Sequence, residues 1–202
     1  IPGTLNLHSI FAIDSLTALV AGSGTSSFLF RTSNGGANWQ TSQIAAGMYG
    51  WSIHFTSTTN GYAVGDPGKI YRTTNGGLWW DSTASPTDEI LYSMNMVNQT
   101  TGWAVGGYGT ILKTTNGGLN WVSQSSGTTE NLKSVFFLNA TTGFIAGGFN
   151  SWIILKTTNG GVNWVLSNLG NGGGFLAIPF ADINTGIACG SGSLLMRTTN
   201  GG

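Results

Sequence analysis

The basic residues of this sequence recur at a fixed spacing, and that spacing could create a binding site. A Lys or Arg stands directly before a Thr-Thr-Asn-Gly-Gly or Thr-Ser-Asn-Gly-Gly stretch five times in 202 residues, at intervals of 41, 41, 43 and 41. These residues are Arg31, Arg72, Lys113, Lys156 and Arg197. Five like charges spaced one repeat apart could form a ring that binds an anion or an acidic partner. Alternatively, each stem packs on an aromatic ring, a contact of about 0.5–1 kcal/mol.

Carboxylates that could act as a general acid and base lie between the repeats. Glu89 and Glu130 occupy parallel segments, SPTDEI and GTTENL, and Asp66 and Asp88 are further candidates. A glycosidase places two carboxylates across the bond that it cleaves. Nothing in the spacing selects one pair of these four, so the sequence predicts no catalytic residue.

Metal ligands are few. His8 and His54 lie in or beside strand-like runs of neighbouring repeats, but no third ligand stands at a suggestive spacing. Cys189 is the only cysteine, and it lies in the apolar run GIACG, which is typical of a buried thiol. The sequence therefore predicts no metal site, no disulfide and no cofactor.

Three aromatic residues outside the repeated motif are candidates for binding. Tyr108 and Phe149 occupy the same turn of adjacent repeats, GGYGT and GGFNSW, and Trp152 follows shortly afterwards. Aromatic side chains exposed on loops suit stacking on a sugar or contact with a protein.

Composition limits the class of partner. Charged residues make up 7% of the chain, against roughly 25% in typical soluble domains, and seven basic residues balance seven acidic ones. No net field attracts nucleic acid or an anionic membrane. Since no run of about 18 apolar residues is present, the sequence predicts no membrane span.

The elements that position these residues are short strands. Each repeat holds a strand-like run, a turn, an apolar strand ending in Gly, a second turn, and a third strand that leads into Thr-Thr-Asn-Gly-Gly. A fourth strand begins at a Trp in four of the five repeats. No window has a sustained 3.6-residue period. Four antiparallel strands per repeat predict the blade of an all-β propeller.

The repeat count predicts five blades in one domain, residues 1–202, and a larger, seven-bladed propeller is the alternative. The approximate repeats are 1–43, 44–84, 85–125, 126–168 and 169–202. The last repeat lacks its own fourth strand. Residues 1–6, further residues of a longer chain, or a strand from another subunit could complete it.

The repeated motif has the spacing Thr-x-Asn-x-Gly-x-x-Trp. Its four full copies and one truncated copy comprise Thr32, Asn34, Gly36, Trp39, Thr73, Asn75, Gly77, Trp80, Thr114, Asn116, Gly118, Trp121, Thr157, Asn159, Gly161, Trp164, Thr198, Asn200 and Gly202. The motif resembles the Asp-box, Ser/Thr-x-Asp-x-Gly-x-x-Trp, of BNR-type propellers, with Asn in every Asp position. Over essentially its whole length the chain is similar to photosystem II assembly-factor propellers and to KTTNGGxNW-repeat secreted or surface proteins of the Bacteroidetes type.

Local chemistry explains this motif without a ligand. Asn side chains accept hydrogen bonds from backbone N–H groups further along a turn, Gly supplies the positive φ angles, and Thr adds a second side-chain bond. Burial of each Trp contributes about 2–3 kcal/mol. We therefore interpret the motif as a structural joint between the third and fourth strands.

The sequence favours a secreted or cell-surface interaction module without enzymatic activity, which binds a protein or assembles with itself through the unfinished last blade. A lectin-like propeller that binds glycans is the alternative. A sialidase-like or other propeller glycosidase is the second alternative.

Overall fold

Short strands joined by tight turns make up nearly all of the chain. The computed structural model describes residues 6–23, 28–44 and 49–202. Within these ranges the strands form five sheets, and the helical content is one 3₁₀ turn at Gly107–Gly109. Consecutive strands pair antiparallel, so that each sheet is a simple meander.

The first two sheets contain strands β1 to β9. The first sheet has the order β1-β2-β3-β4, with β1 Asn6–Ala12, β2 Ala18–Ser23, β3 Phe28–Thr32 and β4 Gln40–Thr41. The second sheet has the order β5-β9-β8-β7-β6, with β5 Gln43–Ile44, β6 Tyr49–Phe55, β7 Gly61–Asp66, β8 Ile70–Thr73 and β9 Trp79–Thr83. The short β5 is the exception to antiparallel pairing, because it runs parallel to β9.

The remaining three sheets repeat this plan. The third has β10 Leu91–Met96, β11 Gly102–Gly106, β12 Ile111–Thr114 and β13 Val122–Gln124. The fourth has β14 Leu132–Phe137, β15 Gly143–Gly147, β16 Ser151–Thr157 and β17 Val165–Asn171. The fifth has three strands, β18 Phe175–Ala177, β19 Gly186–Gly190 and β20 Leu194–Thr198. The predicted all-β fold of four-stranded antiparallel sheets is confirmed.

Hydrophobic cores lie between neighbouring sheets. The first core joins Leu19 of the first sheet to Phe55 and Trp80 of the second. Three further cores connect the second to the third, the third to the fourth, and the fourth to the fifth sheet in the same way. Because every inner sheet is apolar on both faces, the sheets pack face to face in chain order.

The first strand of every sheet contains a β-bulge at the same place. The pairing register skips one residue, so that this residue is turned out of the ladder. The skipped residues are His8, Trp51, Tyr92, Lys133 and Leu176. We call these bulged strands, β1, β6, β10, β14 and β18, the inner strands. Five equivalent side chains therefore lie along them.

The turns gather at two ends of the molecule. At one end, the motif turn of each sheet bonds to the turn between its first and second strands, as Gly117 N does to Thr100 O at 2.9 Å. At the other, the second turns meet the segments that lead into the next sheet, as Gly109 N does with Glu130 O at 2.9 Å. We call these the motif end and the loop end.

The described sheets form an open arc. Leu19, Tyr62, Trp103 and Phe144 occupy equivalent positions of the second strands and are at most 1% exposed, whereas the equivalent Ile187 is 44% exposed. On the opposite outer face, Ile10 is 67% exposed. The prediction that five blades close a ring is therefore not confirmed, and the total number of blades stays a prediction. Of residues 1–6, one of the predicted ways to complete the last blade, Asn6 begins β1 and residues 1–5 lie outside the described ranges.

Candidate functional site

The polar side chains of each motif turn form hydrogen bonds within that turn. In the third sheet Gly118 N donates to Thr114 Oγ1 at 2.9 Å, and Thr114 Oγ1 donates to Asn116 Oδ1 at 3.1 Å. Asn116 Oδ1 also accepts from Asn120 N at 3.0 Å. The two bonds of the Thr recur in all five copies, and the third bond recurs in the four full ones. These oxygens are occupied inside the turn, which gives them a structural use.

The tryptophans of the motif pack between sheets. Trp80 is fully buried, its indole N–H donates to Gly77 O at 3.2 Å, and its ring meets Phe55 edge-on at 5.9 Å. Trp164 meets Phe137 in the same geometry, also at 5.9 Å. Trp80, Trp121 and Trp164 therefore fill the space next to the preceding sheet, whereas Trp39 of the first sheet is half-buried.

The predicted ring of basic residues is used mainly to connect sheets. Arg31 Nε donates to Gly76 O at 2.9 Å, and Lys113 Nζ donates to Gly160 O at 2.8 Å. Each carbonyl belongs to the motif turn of the next sheet. A charged donor on a carbonyl that has lost its strand partner stabilises that turn.

The remaining basic residues differ in burial. Lys156 Nζ repeats the contact on Gly201 O at 2.5 Å, and it lies 5.6 Å from the ring of Phe144. Arg72 is half-buried, and its Nε has no hydrogen-bond partner among the described residues. Arg197 is exposed on the fifth sheet. Three of the five thus connect neighbouring sheets, and the structure does not gather all five into one pocket.

The bulged residues of the inner strands form a stacked row that we call the bulge ladder: His8, Trp51, Tyr92 and Lys133. The His8 and Trp51 rings stack at 4.1 Å, and Trp51 meets Tyr92 edge-on at 5.3 Å. Lys133 Nζ lies 3.2 Å from the centre of the Tyr92 ring. Sequence reasoning missed Tyr92 and Lys133, although each directly precedes a Ser at the same phase of its repeat, in YSMNM and KSVFF.

Burial and nearby charge act on this ladder. Burial raises the pKa of Tyr92, and the carboxylates of Asp66 and Glu89 raise it further. Burial lowers the pKa of Lys133. Both effects follow from partial removal of a group from water.

Two predicted binding aromatics stand exposed at the loop end. Tyr108 is 73% exposed and Phe149 is 71% exposed. The Tyr108 amide donates to Asn131 Oδ1 at 3.3 Å, and the Phe149 amide donates to Glu130 Oε2 at 2.9 Å. Tyr108 has a φ of 48°, a left-handed conformation that is uncommon for a side chain of this size. Hydrogen bonds therefore hold the backbone beneath both rings.

The other singled-out residues lie elsewhere. Trp152, the third predicted binding aromatic, is half-buried and packs on the core between the fourth and fifth sheets. His54 is half-buried, and burial lowers its pKa while a bond with the Met96 backbone opposes that shift. Cys189 is a half-buried free thiol. In the described part of the chain, no three His, Cys, Asp or Glu side chains are grouped as metal ligands, and no helix has the length and apolarity of a membrane span.

Comparison with known proteins identifies the class. The fold and the motif turns define a BNR-type β-propeller, and residues 74–172 match the family model described as photosynthesis system II assembly factor YCF48. This chain is thus a BNR-type propeller that resembles photosystem II assembly factors, and the resemblance predicted from the motif is confirmed. No curated protein matches the chain.

Solved structures support the fold. "YCF48 bound to D1 peptide" is 17% identical, with a TM-score of 0.73 over 98% of this chain and 65% of that one. "YCF48 from Cyanidioschyzon merolae" is 16% identical, with a TM-score of 0.52 over 100% and 84%. A GH74 enzyme from Niastella koreensis is 14% identical, with a TM-score of 0.72 over 93% and 35%. The chain therefore spans slightly less than two thirds of the first of these neighbours.

The predicted extracellular or cell-surface location is wrong. The matching family model is described as an assembly factor of photosynthesis system II, and both solved neighbours carry the same name, YCF48; none of the three is described as secreted or surface-bound. The sequence prediction rested on sparse charge and on a surface rich in Gly, Ser, Thr and Asn. Such a composition indicates a neutral surface and does not specify a cellular location.

Proposed function

We propose that this chain is a non-enzymatic module that binds a protein partner during assembly of a larger complex, and that its loop end is the binding surface. The match of residues 74–172 to an assembly-factor family supports the role. A structural neighbour holds a D1 peptide, which makes an extended peptide the first partner to test.

The exposed rings of Tyr108 and Phe149 carry this proposal. They lie at equivalent turns of adjacent sheets, so one extended chain crossing the loop end could contact both. Aromatic side chains on a fixed backbone bury much apolar area at a low entropic cost, and they are common anchors of protein interfaces. The Thr and Asn oxygens of the motif end are already bonded within their turns, so they offer no free acceptor to a partner.

Calorimetric titration with the D1 peptide tests the proposal. Replacing Tyr108 and Phe149 by Ala should weaken binding by roughly tenfold or more, as expected when two anchors are removed. Leu119→Ala is the matched control, because Leu119 is 59% exposed in a motif turn at the opposite end. Equal affinities of the wild type, the Tyr108 and Phe149 double variant and Leu119→Ala would contradict the assignment of the loop end.

Two other outcomes would replace the proposal. Selective binding of a glycan on an array, with no binding of the peptide, would favour the lectin alternative. Turnover of a β-glucan or a sialoside would favour a glycosidase. The acids that such an enzyme could use are Asp66, Asp88, Glu89 and Glu130.

Self-association is a separate proposal that the two outer faces support. Ile10 and Ile187 are 67% and 44% exposed at positions whose equivalents in other sheets are buried, and Leu195 is 72% exposed. Sedimentation of the 202-residue chain should then show oligomers, and the Ile187→Lys variant should be monomeric. A monomer at all concentrations would rule this out.

A further inference from the structure

We infer that the partner presents a lysine or arginine side chain, which binds beside Tyr108 against the carboxylate of Glu89. This inference rests on the proposed function, since it specifies the chemistry of the partner at the same surface.

The charges of the chain are segregated between its two ends. Four of the seven acidic residues lie in the turns and connecting segments of the loop end, where two lysines oppose them. The acids are Asp66, Asp88, Glu89 and Glu130, and the lysines are Lys69 and Lys133. The other five basic residues stand directly before the motif turns, away from the loop end. A cationic segment is therefore attracted to the loop end, whereas an anionic one is repelled.

Glu89 differs from its repeat equivalent, Glu130. The carboxylate of Glu130 accepts from Phe149 N at 2.9 Å and from Ser151 Oγ at 3.2 Å. The carboxylate of Glu89 is half-buried and has no hydrogen bond or ion pair with any described residue. The turn of Tyr108 takes a tighter, left-handed course, so that the Tyr108 amide bonds to Asn131 instead. A carboxylate without a protein partner is available to form a charge-assisted hydrogen bond with a cation.

The Glu89 carboxylate lies next to Gly107, the residue that precedes Tyr108. Its Oε2 is so close to Gly107 that a Cβ at that position would be 3.2 Å away. A lysine or arginine stem could then cover the Tyr108 ring while its charged head meets Glu89. The neighbouring Tyr92 already shows this arrangement, because Lys133 Nζ lies over its ring.

A metal ion is a poorer occupant. Ca²⁺ requires six to eight oxygen ligands, and no group of three candidate ligands occurs in the described part of the chain. One carboxylate next to an aromatic ring matches an organic cation instead.

Nα-acetyl-arginine amide is a suitable probe, because its binding does not require the natural partner. In titrations followed by ¹H–¹⁵N spectra, it should shift the amides of Gly107, Tyr108 and Gly109. The isosteric but neutral citrulline amide should shift them much less. Glu89→Gln should weaken binding of the arginine probe roughly five- to tenfold.

Matched variants separate this site from the general field of the protein. Asp81→Asn removes the same charge from an outer strand, and Asp88→Asn removes it from an exposed neighbour of Glu89; both should bind the probe almost as the wild type does. Equal shifts with the citrulline probe, or no shift at Gly107 to Gly109, would overturn the inference.

The two proposals can fail separately. If the arginine probe binds through Glu89 but no D1 peptide binds, the cation site stands and the proposed partner is wrong. If the D1 peptide binds equally well to wild type and Glu89→Gln but more weakly to the Tyr108 and Phe149 double variant, the surface stands and the cation site is wrong.

Discussion

The Ser93 hydroxyl accepts a hydrogen bond from the backbone N–H of Val135 at 3.3 Å, and this bond connects the inner strands of two neighbouring sheets. The same bond recurs from Ile53 to Ser9 at 3.2 Å, from Met94 to Ser52 at 3.4 Å and from Ile178 to Ser134 at 3.3 Å. Inner strands do not pair with one another as a sheet, so these amides would otherwise face a neighbour without an acceptor. One hydroxyl per repeat thus connects the arc along its inner edge.

Ser93→Ala should lower the free energy of unfolding by about 1–3 kcal/mol, because it leaves a partly buried N–H without an acceptor. Urea denaturation measures this loss. Ser123→Ala, on the exposed strand β13, should change stability by less than about 0.5 kcal/mol. Equal effects of the two substitutions would show that the hydroxyl contributes nothing beyond its volume.

Asn116→Asp should leave the stability nearly unchanged, since a carboxylate oxygen can accept from both Thr114 and Asn120 as the amide oxygen does. Asn116→Ala should cost about 1–3 kcal/mol, because it removes both bonds of the turn. Thermal unfolding of the two variants compares them directly. A loss for Asp as large as that for Ala would argue that the Asn NH₂ group has a use of its own.

Lys113→Met should destabilise the chain by about 1–3 kcal/mol, because it removes a charged donor from Gly160 O while retaining the aliphatic stem. Arg197→Met is the control, because Arg197 is exposed and follows the same motif phase. It should alter stability by less than about 0.5 kcal/mol. If chemical denaturation gives both variants the same stability, the bond from Lys113 to Gly160 does not stabilise the contact between the two sheets.

His54 should make the protein less stable in mild acid. Burial holds its folded-state pKa below the ordinary value of about 6.5, so the unfolded chain binds more protons in this range, and stability falls as the pH decreases through and below about 6.5. The third sheet has Asn95 at the equivalent position, where its Oδ1 accepts from Phe137 N at 3.0 Å.

His54→Asn should therefore reduce the loss of stability between pH 7 and pH 5, while stability above pH 7 changes little with pH in either protein. Denaturation at several pH values measures the two slopes. Parallel slopes for the wild type and the variant would show that His54 does not contribute to the acid sensitivity.

The motif and its joints could be predicted from local chemistry. Thr114, Asn116 and Gly118 complete their bonds within a few residues of chain, so spacing alone specifies the turn. Trp80 was also predictable as an inter-sheet residue, because an indole at a fixed phase of an apolar repeat has few other places to be buried.

The bulge ladder was not predictable in the same way. Trp51, Tyr92 and Lys133 share a repeat phase, but their position depends on a one-residue β-bulge, which turns them out of the strand pairing. Composition does not specify a cellular location either, and comparison with known families corrected the predicted extracellular one. The candidate residues Tyr108 and Phe149 were identified from their loops, but the difference between Glu89 and Glu130 was not.

The sequence by itself determined the repeat, the four-strand plan of each sheet and the chemistry of its turns, because these depend on hydrogen bonds and apolar periodicity within about forty residues. The tertiary structure decided how the sheets are arranged around one another, which side chains meet between them and which charges remain without a partner. Those properties depend on contacts between residues one full repeat apart, and no local pattern records the twist and curvature that bring such residues together.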